Sequence, residues 1–251
     1  MMKPPQKTLI SHLQHNGDAP TTLFRRIDES NDAIFYAQPR IVKHIDENAS
    51  QAISGFLSCI LPTDQPVLDL MSSAYSHFPA DFEPANVIGL GMNRTELTFN
   101  SMLGEFLVHD LNRNPVLPFA DNIFGAVVIT VSIQYLTQPV LVFHQINRIL
   151  QPDCPLIIFY SNRMFPTKAI AVWHQATDKQ KQDLLRLYFE QSETESSKFT
   201  PGQFLDITPV GFSTEDSTDG YTDPVYVFMA RKIVSGLVNI DKDGQVVGPD
   251  L

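Results

Sequence analysis

Five short apolar runs, each followed by a polar cluster, limit what this chain can fold into. They are PVLDL (66–70), NVIGLG (86–91), FLVHD (106–110), GAVVITVS (125–132) and PLIIFYS (155–161). Each is close to a continuous Val/Ile/Leu run rather than an alternating one, as in strands covered on both faces of a parallel sheet. Parallel neighbours need a crossover, and a helix supplies it in the right-handed sense. Asn93 and Glu96 read as an N-cap with its capping-box partner, opening a helix to about Met102. In PVLVFHQINRIL (139–150), Val142, Ile146, Ile149 and Leu150 form one stripe. Residues 167–191 read as one longer helical region, with Thr177 and Gln180 as a second capping pair. Upstream, Ile41, Val42, Ile45, Ala49, Ile53, Phe56, Leu57 and Ile60 recur at three- and four-residue steps, which predicts a helix over 39–61 ended by Pro62.

The C-terminal part changes character. QFLDITP (203–209) and PVYVFMARKI (224–233) read as two strands joined by a turn-rich loop, a hairpin closing one edge. The expected architecture is therefore α/β: a Rossmann-like, seven-stranded, mostly parallel sheet flanked by helices, with an antiparallel C-terminal hairpin. Residues 1–20 read as a flexible arm, 21–236 as a single domain and 237–251 as a mobile tail.

Bulk properties narrow the partners. With 251 residues, 43% of them hydrophobic, and a net charge of −10, the chain can bury a sizeable core and presents an acidic surface. Such a surface repels nucleic acid and anionic membranes unless a basic patch overrides it, and none stands out. The most apolar run, FGAVVITVSI, has about half the length of a membrane span, and the N-terminus carries no apolar run of signal-peptide length. Cys59 and Cys154 fit neither a disulfide framework nor zinc spacing and read as two buried thiols. These features point to a cytoplasmic protein with no nucleic-acid or membrane partner and no metal; they carry no mark of oligomeric state.

In a sheet of this kind the ligand lies at the carboxyl ends of the strands, near the point where strand order reverses. Polar residues gather at every such end: Asp69, Met71, Ser72 and Ser73 after the first strand; Gly91, Met92 and Asn93 after the second; Asp110, Leu111 and Asn112 after the third. Ser132, Gln134 and Tyr135 follow the fourth strand, and Ser161, Asn162 and Arg163 the fifth.

Two longer stretches carry a family likeness. LPFADNIFGAVVITVSIQYL (117–136) and NRILQPDCPLIIFYS (147–161) resemble consecutive blocks of the class I S-adenosylmethionine-dependent methyltransferases, in particular the type 11 group. VLDLMSS and VIGLGMNRTEL fall where that family's first two blocks belong. The resemblance covers about residues 65–162, and the closing hairpin extends it to about 233. It implies S-adenosyl-L-methionine as cofactor, bound by Asp69, Met71, Ser72, Ser73, Gly91, Met92, Asn93, Asp110, Leu111, Asn112 and Ser132. By the same resemblance Asp110 stands where the family binds the adenine amino group.

The departures are specific. The family's glycine-rich loop, D-x-G-x-G-x-G, is here Asp69-Leu70-Met71-Ser72-Ser73-Ala74-Tyr75, with Met71, Ser73 and Tyr75 at the glycine positions and the hydroxyls of Ser72 and Ser73 within the loop. The family's ribose-binding acid is replaced by Gly91, with Asn93 as a neutral substitute two residues on. Gly125 stands for an Asp, and Asp153-Cys154 for Gly-Gly.

Methyl transfer requires alignment, exclusion of water and, for some acceptors, one general base. Tyr36, His77 and Tyr135 are the candidate bases. The segment 32–46 can lie over the cofactor mouth as a lid, turning Phe35, Tyr36 and Arg40 towards an acceptor; Arg163 can meet an acidic acceptor or pair with a surface carboxylate. Plainer roles exist for several of these. Asp69 can brace a turn, Ser72, Ser73 and Asn93 can be caps, His77 can be a surface residue, and His109 reads as a core or helix-facing histidine. His144 and His174 read as packing residues on helices.

The leading functional expectation is a methyltransferase acting on an unidentified small molecule. The alternative is a methyltransferase-fold binding or regulatory protein without turnover. A nicotinamide-dependent oxidoreductase would want G-x-G-x-x-G after the first strand, and MSSAYS does not supply it.

Overall fold

The apolar runs form one sheet, and alternate residues along them feed two separate cores. The computed structural model describes residues 21–210 and 222–234, with the short segments Asn239–Ile240 and Val246–Val247 beyond them. Strands β1 (Val67–Ser72), β2 (Val87–Gly91), β3 (Glu105–Val108), β4 (Ala126–Thr130) and β5 (Pro155–Tyr160) run parallel in the order β3-β2-β1-β4-β5. The order reverses between β1 and β4, which opens a crevice at their carboxyl ends.

Antiparallel strands follow. β8 (Tyr226–Val234) pairs with β5, while β6 (Ser197–Phe199) and β7 (Gln203–Asp206) share the outer edge of β8. The sheet thus has eight strands, one more than the spacing of apolar runs suggested. The additional strand, SKF, is three residues long, too short for any periodicity to reveal.

Helix α1 (Asp32–Phe35) is a single turn capped by Asn31, and α2 (Glu47–Ser58) packs Ala49, Ile53 and Leu57 on one face of the sheet. That face receives Val67, Val87, Ala126, Val128, Ile157 and Val227. Helices α3 (Arg94–Phe99), α4 (Pro139–Ile149), α5 (Ala171–Gln175) and α6 (Asp178–Gln191) follow in order. The second core joins Val142, Phe143 and Ile146 of α4 and Leu184, Leu185 and Tyr188 of α6 to Leu68, Leu70, Val127 and Ile158 of the sheet. Both faces of the parallel strands are covered, as their lack of alternation required.

Local chemistry shortened several helices. The helix expected over 39–61 begins only at Glu47, because the Asp46 carboxylate accepts from the Ala49 amide at 2.8 Å and caps it there. Ile41 and Val42 are consequently exposed. The helical region 167–191 is two helices, broken where Ala176 and Thr177 turn extended; Thr177 and Gln180 then form the expected capping box on α6. At α3 the box is only half made. Asn93 accepts from Thr95 and Glu96, but the Glu96 side chain turns away to another partner.

Edge strand β3 differs from expectation in burial: Leu107 and Val108 are exposed, since the strand has a neighbour on one side only. Cys59 is exposed at the end of α2 and Cys154 half-buried, so the thiols are not a buried pair. Among the described residues no helix is long and apolar enough to cross a membrane. The arm 1–20 lies outside the described residues, and so does most of the tail 237–251, where Asn239–Ile240 pairs antiparallel with Val246–Val247.

Four non-glycine residues hold positive φ: Met71, Asn122, Val131 and Asp153. Asp153, at φ 61°, occupies one of the two positions where glycines were expected, just before β5. Its side chain is exposed, while its amide donates to the Lys232 carbonyl and its own carbonyl accepts from Arg231. Removing its Cβ relieves a left-handed cost of roughly 1–2 kcal/mol, against roughly 0.4–1 kcal/mol of added freedom in the unfolded chain. Asp153→Gly is therefore expected to stabilise the protein by about 0.5 kcal/mol, read as a higher urea midpoint at unchanged slope; a lower midpoint would contradict this account of the turn.

Candidate active site

At the tip of β1 the ladder slips. Leu70 pairs with Leu90, but the next partner of β2, Gly91, is met by Ser72 rather than Met71. Met71 is the extra residue, at φ 63°, bulged out of the register. Its backbone thus takes the left-handed conformation that glycine ordinarily supplies. The slip sets the Ser72 carbonyl against Gly91, and a Cβ at Gly91 would overlap that oxygen. No side chain fits at 91, so an acid there is excluded on steric grounds.

A cavity of about 340 Å3 opens beside this bulge, at the reversal of strand order. Met71, Ser72 and Ser73 line it from β1, and Leu90, Gly91 and Met92 from β2. Met71 forms part of the wall and leaves the space open. His109, Asp110, Leu111 and Asn112 contribute from the end of β3, and Val131, Ser132 and Tyr135 from the end of β4. Val131 sits at φ 43°, costly for a β-branched residue. The two strained residues, Met71 and Val131, therefore flank the same crevice from adjacent strands.

The segment before α2 covers the mouth. Asp32, Tyr36, Arg40, Lys43 and His44 all line the cavity. The Asn93 amide donates to the carbonyls of Tyr36 (2.7 Å) and Ala37 (3.2 Å), and the Glu96 carboxylate accepts from the Arg40 amide at 2.7 Å. From the other side Asp32, 5% exposed, meets Arg26 at 2.7 Å and Lys168 at 3.0 Å, and accepts from Asn112 at 2.9 Å. Burial alone would raise the Asp32 pKa; Arg26, Asn112 and Lys168 outweigh it and hold it below the usual value. This cover is anchored by hydrogen bonds and ion pairs at both ends.

The cavity gathers most of the site residues expected from sequence: Met71, Ser72, Ser73, Gly91, Met92, Asp110, Leu111, Asn112 and Ser132 for a cofactor, Tyr36 and Tyr135 as bases, and Arg40 and Arg163 for an acceptor. Four others lie elsewhere. Asn93 spends its side chain capping α3 and holding the lid, and does not line the cavity. Phe35 packs edge-on against Tyr36 and Phe165 beneath the Arg40 guanidinium. His77 is buried behind β1 with Nδ1 2.8 Å from the Ser50 hydroxyl, so it is neither on the surface nor at the cavity. Burial, helped by Lys43 and His44, pushes its pKa down to about 4. Asp69 points beneath the bulge and accepts from the hydroxyls of Ser72 and Ser76, each at 2.5 Å. Conversely His109, read as a core or helix-facing residue, lines the cavity with Nε2 2.8 Å from the Asn114 carbonyl.

Of the cavity residues that the sequence reading did not assign to the site, two bear most on its chemistry, Glu96 and His44. Glu96 is 5% exposed, and burial raises its pKa against the opposing pull of Arg40. Its Oε1 is committed to the Arg40 amide, and its Oε2 has no partner among the described residues. The signal was hidden, because Asn93-x-x-Glu96 is fully accounted for as a cap. His44 lines the cavity edge-on to Phe165, makes no side-chain hydrogen bond among the described residues, and is held below its usual pKa by burial and by Arg40. Tyr36 and Tyr135 are shifted the other way, chiefly by burial, so their phenols stay protonated. The Tyr135 hydroxyl accepts from the Phe165 amide at 2.7 Å. The Ser132 hydroxyl is buried at the cavity without a partner. Among the described residues no group of three or more His, Cys, Asp or Glu is placed to hold a metal.

Asp69 gives a pH signature. Burial pushes its pKa up from 3.8 to about 6, and the two serine hydroxyls only partly offset this. The folded form therefore binds the proton more tightly than the unfolded form. Stability from this group is complete below about pH 4 and is lost as pH rises through about 6, a change of roughly 2–3 kcal/mol. Asp69→Asn keeps an oxygen for both hydroxyls and removes the ionisation. The stability difference, wild type minus Asp69→Asn, is expected to fall between pH 4 and 7 in urea titrations; a difference independent of pH would refute it.

A family model described as a methyltransferase domain matches residues 71–158, from the bulge to the middle of β5. Solved structures with a similar fold include an S-adenosylmethionine-dependent methyltransferase from Methanosarcina mazei, at 13% identity and a TM-score of 0.45 over 71% of this chain and 97% of that one. A phosphoethanolamine N-methyltransferase 2 from Haemonchus contortus, solved with S-adenosyl-L-methionine, gives 14% and 0.47 over 73% and 52%. A geranyl diphosphate C-methyltransferase from Streptomyces coelicolor gives 12% and 0.44 over 72% and 77%. No curated protein matches the sequence.

Proposed function

We propose that this chain, a class I methyltransferase of the type 11-like kind, binds S-adenosyl-L-methionine across the tips of β1, β2 and β3 and passes its methyl group to a small acceptor under the lid. The observation that carries the proposal is the convergence of unspent acceptors, Glu96 and Asp110, on a covered cavity at the β1/β4 reversal. Asp110 has one oxygen, Oδ1, taken by the amides of Asn112 and Arg113, and its Oδ2 has no partner among the described residues. The donor set fits the cofactor. Glu96 is placed to accept from ribose hydroxyls in place of the acid that Gly91 cannot be. Asp110 accepts from an exocyclic amine, Ser73 and Ser132 offer hydroxyls to a carboxylate, and Ser72, whose proton goes to Asp69, offers a lone pair to an ammonium.

When bound, the cofactor supplies a methyl group activated by a sulfonium. The remaining work falls to the chain. Tyr36, Tyr135 and Phe165 wall off water at the mouth. Tyr36 and Tyr135 keep their protons and serve as donors that orient the acceptor. His44, held below its usual pKa and without a side-chain hydrogen-bond partner among the described residues, takes the acceptor's proton at a ring nitrogen, where the sequence suggests His77 or a tyrosine. A protein that binds without turnover was the competing idea, founded on the absent ribose acid. A carboxylate at Glu96, lining the cavity beyond β2, favours the enzyme reading over it.

Calorimetric titration with S-adenosylmethionine and S-adenosylhomocysteine tests the reading. Wild type is expected to bind both. Glu96→Gln should weaken binding tenfold or more, since a hydrogen bond to a charged group contributes roughly 1.5–3 kcal/mol. No heat with wild type at millimolar ligand would end the proposal.

A further inference from the structure

The Arg40 guanidinium faces the cavity with its flat surfaces packed and, though it feels the charge of Glu96, with no carboxylate in ion-pair contact among the described residues. It lies 4.5 Å from the Phe35 ring centroid, 5.0 Å from Phe165 and 5.9 Å from Tyr36. Its Nη2 donates to the Phe35 carbonyl at 3.1 Å and its Nη1, more weakly, to the Gln38 carbonyl at 3.4 Å. A guanidinium has five N–H donors, so the others have no protein acceptor among the described residues. The two other cations at this mouth differ. Lys43 pairs with Glu47 at 2.5 Å and Arg163 with Asp223 at 3.2 Å. Asp32, the nearby acid, is answered by Arg26 and Lys168, and Glu96 meets the Arg40 backbone rather than its side chain. In a chain with 28 acidic residues against 18 Lys and Arg, Arg40 has no carboxylate partner among the described residues.

Its place in the crevice indicates what the missing partner belongs to. Phe165, on which Arg40 packs, follows β5 and stacks on Tyr135 from the tip of β4, with centroids 5.8 Å apart. Arg40 therefore sits with aromatic residues on the β4/β5 side, whereas the cofactor candidates, Ser132 apart, cluster on β1, β2 and β3. Rings surround the guanidinium, pre-orient its fork and leave it able to grip two oxygens at once. Lys43 and Arg163 add positive potential at the same opening.

We propose that the methyl acceptor is an anion whose carboxylate or phosphate binds the Arg40 guanidinium while its apolar body lies against Phe165, Tyr36 and Tyr135. The proposal rests on the methyltransferase reading for the word acceptor, but the anion site itself does not. Arg40 is the residue that selects for charge, and Arg163, already neutralised by Asp223, is secondary to it.

Benzoate, phenyl phosphate and the neutral benzamide serve as probes, titrated by calorimetry or ligand-observed NMR into the full chain with and without saturating S-adenosylhomocysteine. Wild type should bind benzoate or phenyl phosphate at least tenfold more tightly than benzamide. Arg40→Gln should abolish that preference while leaving S-adenosylhomocysteine affinity within threefold. Arg40→Lys, which keeps the charge but not the fork, should retain part of it and guards against misfolding of the glutamine variant. Equal binding of benzoate and benzamide to wild type, or no binding of either anion, overturns the proposal. So does a tenfold loss of S-adenosylhomocysteine affinity in Arg40→Gln with 5′-methylthioadenosine, which lacks the carboxylate, unaffected; Arg40 would then serve the cofactor's own acid. If wild type ignores S-adenosylhomocysteine yet shows the Arg40-dependent preference, the methyltransferase reading fails and the anion site stands.

Discussion

Where β1 meets β2, one residue too many has been fitted into a parallel ladder, and much of the site follows from that slip. With Met71 looped out at φ 63°, the Ser72 carbonyl takes the space beside Gly91. Position 91 cannot then carry a side chain. The carboxylate that lines the cavity beyond the end of β2 is that of Glu96, further along the chain on α3. Because α3 is capped by Asn93, and Asn93 also holds the carbonyls of Tyr36 and Ala37, the helix start and the lid share one residue. The bulge, the glycine, the displaced acid and the lid anchorage form a single arrangement.

The bulge is also braced from below. Asp69 accepts from Ser72 and from Ser76, so one buried carboxylate ties both ends of the loop that follows β1. A backbone held left-handed at Met71 costs energy that neighbouring contacts must offset. The serines thus act inside the loop as well as at its surface: Ser72 lines the cavity while donating to Asp69. This answers what replaces glycine here. The unusual backbone is kept, and side-chain hydrogen bonds stabilise it.

How much of this was legible follows the physics of each signal. The strands of the parallel sheet were visible because burial on both faces leaves unbroken apolar runs, and the reversal of order placed the crevice correctly. Thr177 and Gln180 were readable because a capping box is local. What failed was non-local. The helix over 39–61 lost its first turns because the Arg40 amide is used by Glu96 and Asp46 serves as a cap, neither of which periodicity records. Asn93 was assigned to a ligand and His77 to catalysis from their nearness in sequence to strand ends. Yet Asn93 is consumed by backbone donors and acceptors, and His77 turns back to Ser50. Glu96 and His44 were missed for the complementary reason: one had a sufficient local explanation, and the other lay in a segment read as helix.

The same distinction separates the loops that look altered from those that are. Asp153 holds φ 61° where glycine was expected, so the turn into β5 takes a left-handed backbone without the residue that favours it. Gly125 replaces an expected acid because a Cβ there would run into the Gln65 and Pro62 side chains, again a matter of packing. By residue type the loop after β1 and the turn into β5 differ from the pattern expected there; by backbone conformation, Met71 and Asp153 take the left-handed turns that glycine ordinarily supplies. The lid brings a different chemistry to the mouth. There Arg40, His44 and Tyr36 place a cation, an imidazole held below its usual pKa and a protonated phenol on a segment fixed to the body by Asn93, Glu96 and Asp32. A lid pinned at those points presents its side chains in a fixed array, and on the proposed reading the choice of acceptor falls to the lid rather than to the sheet beneath it.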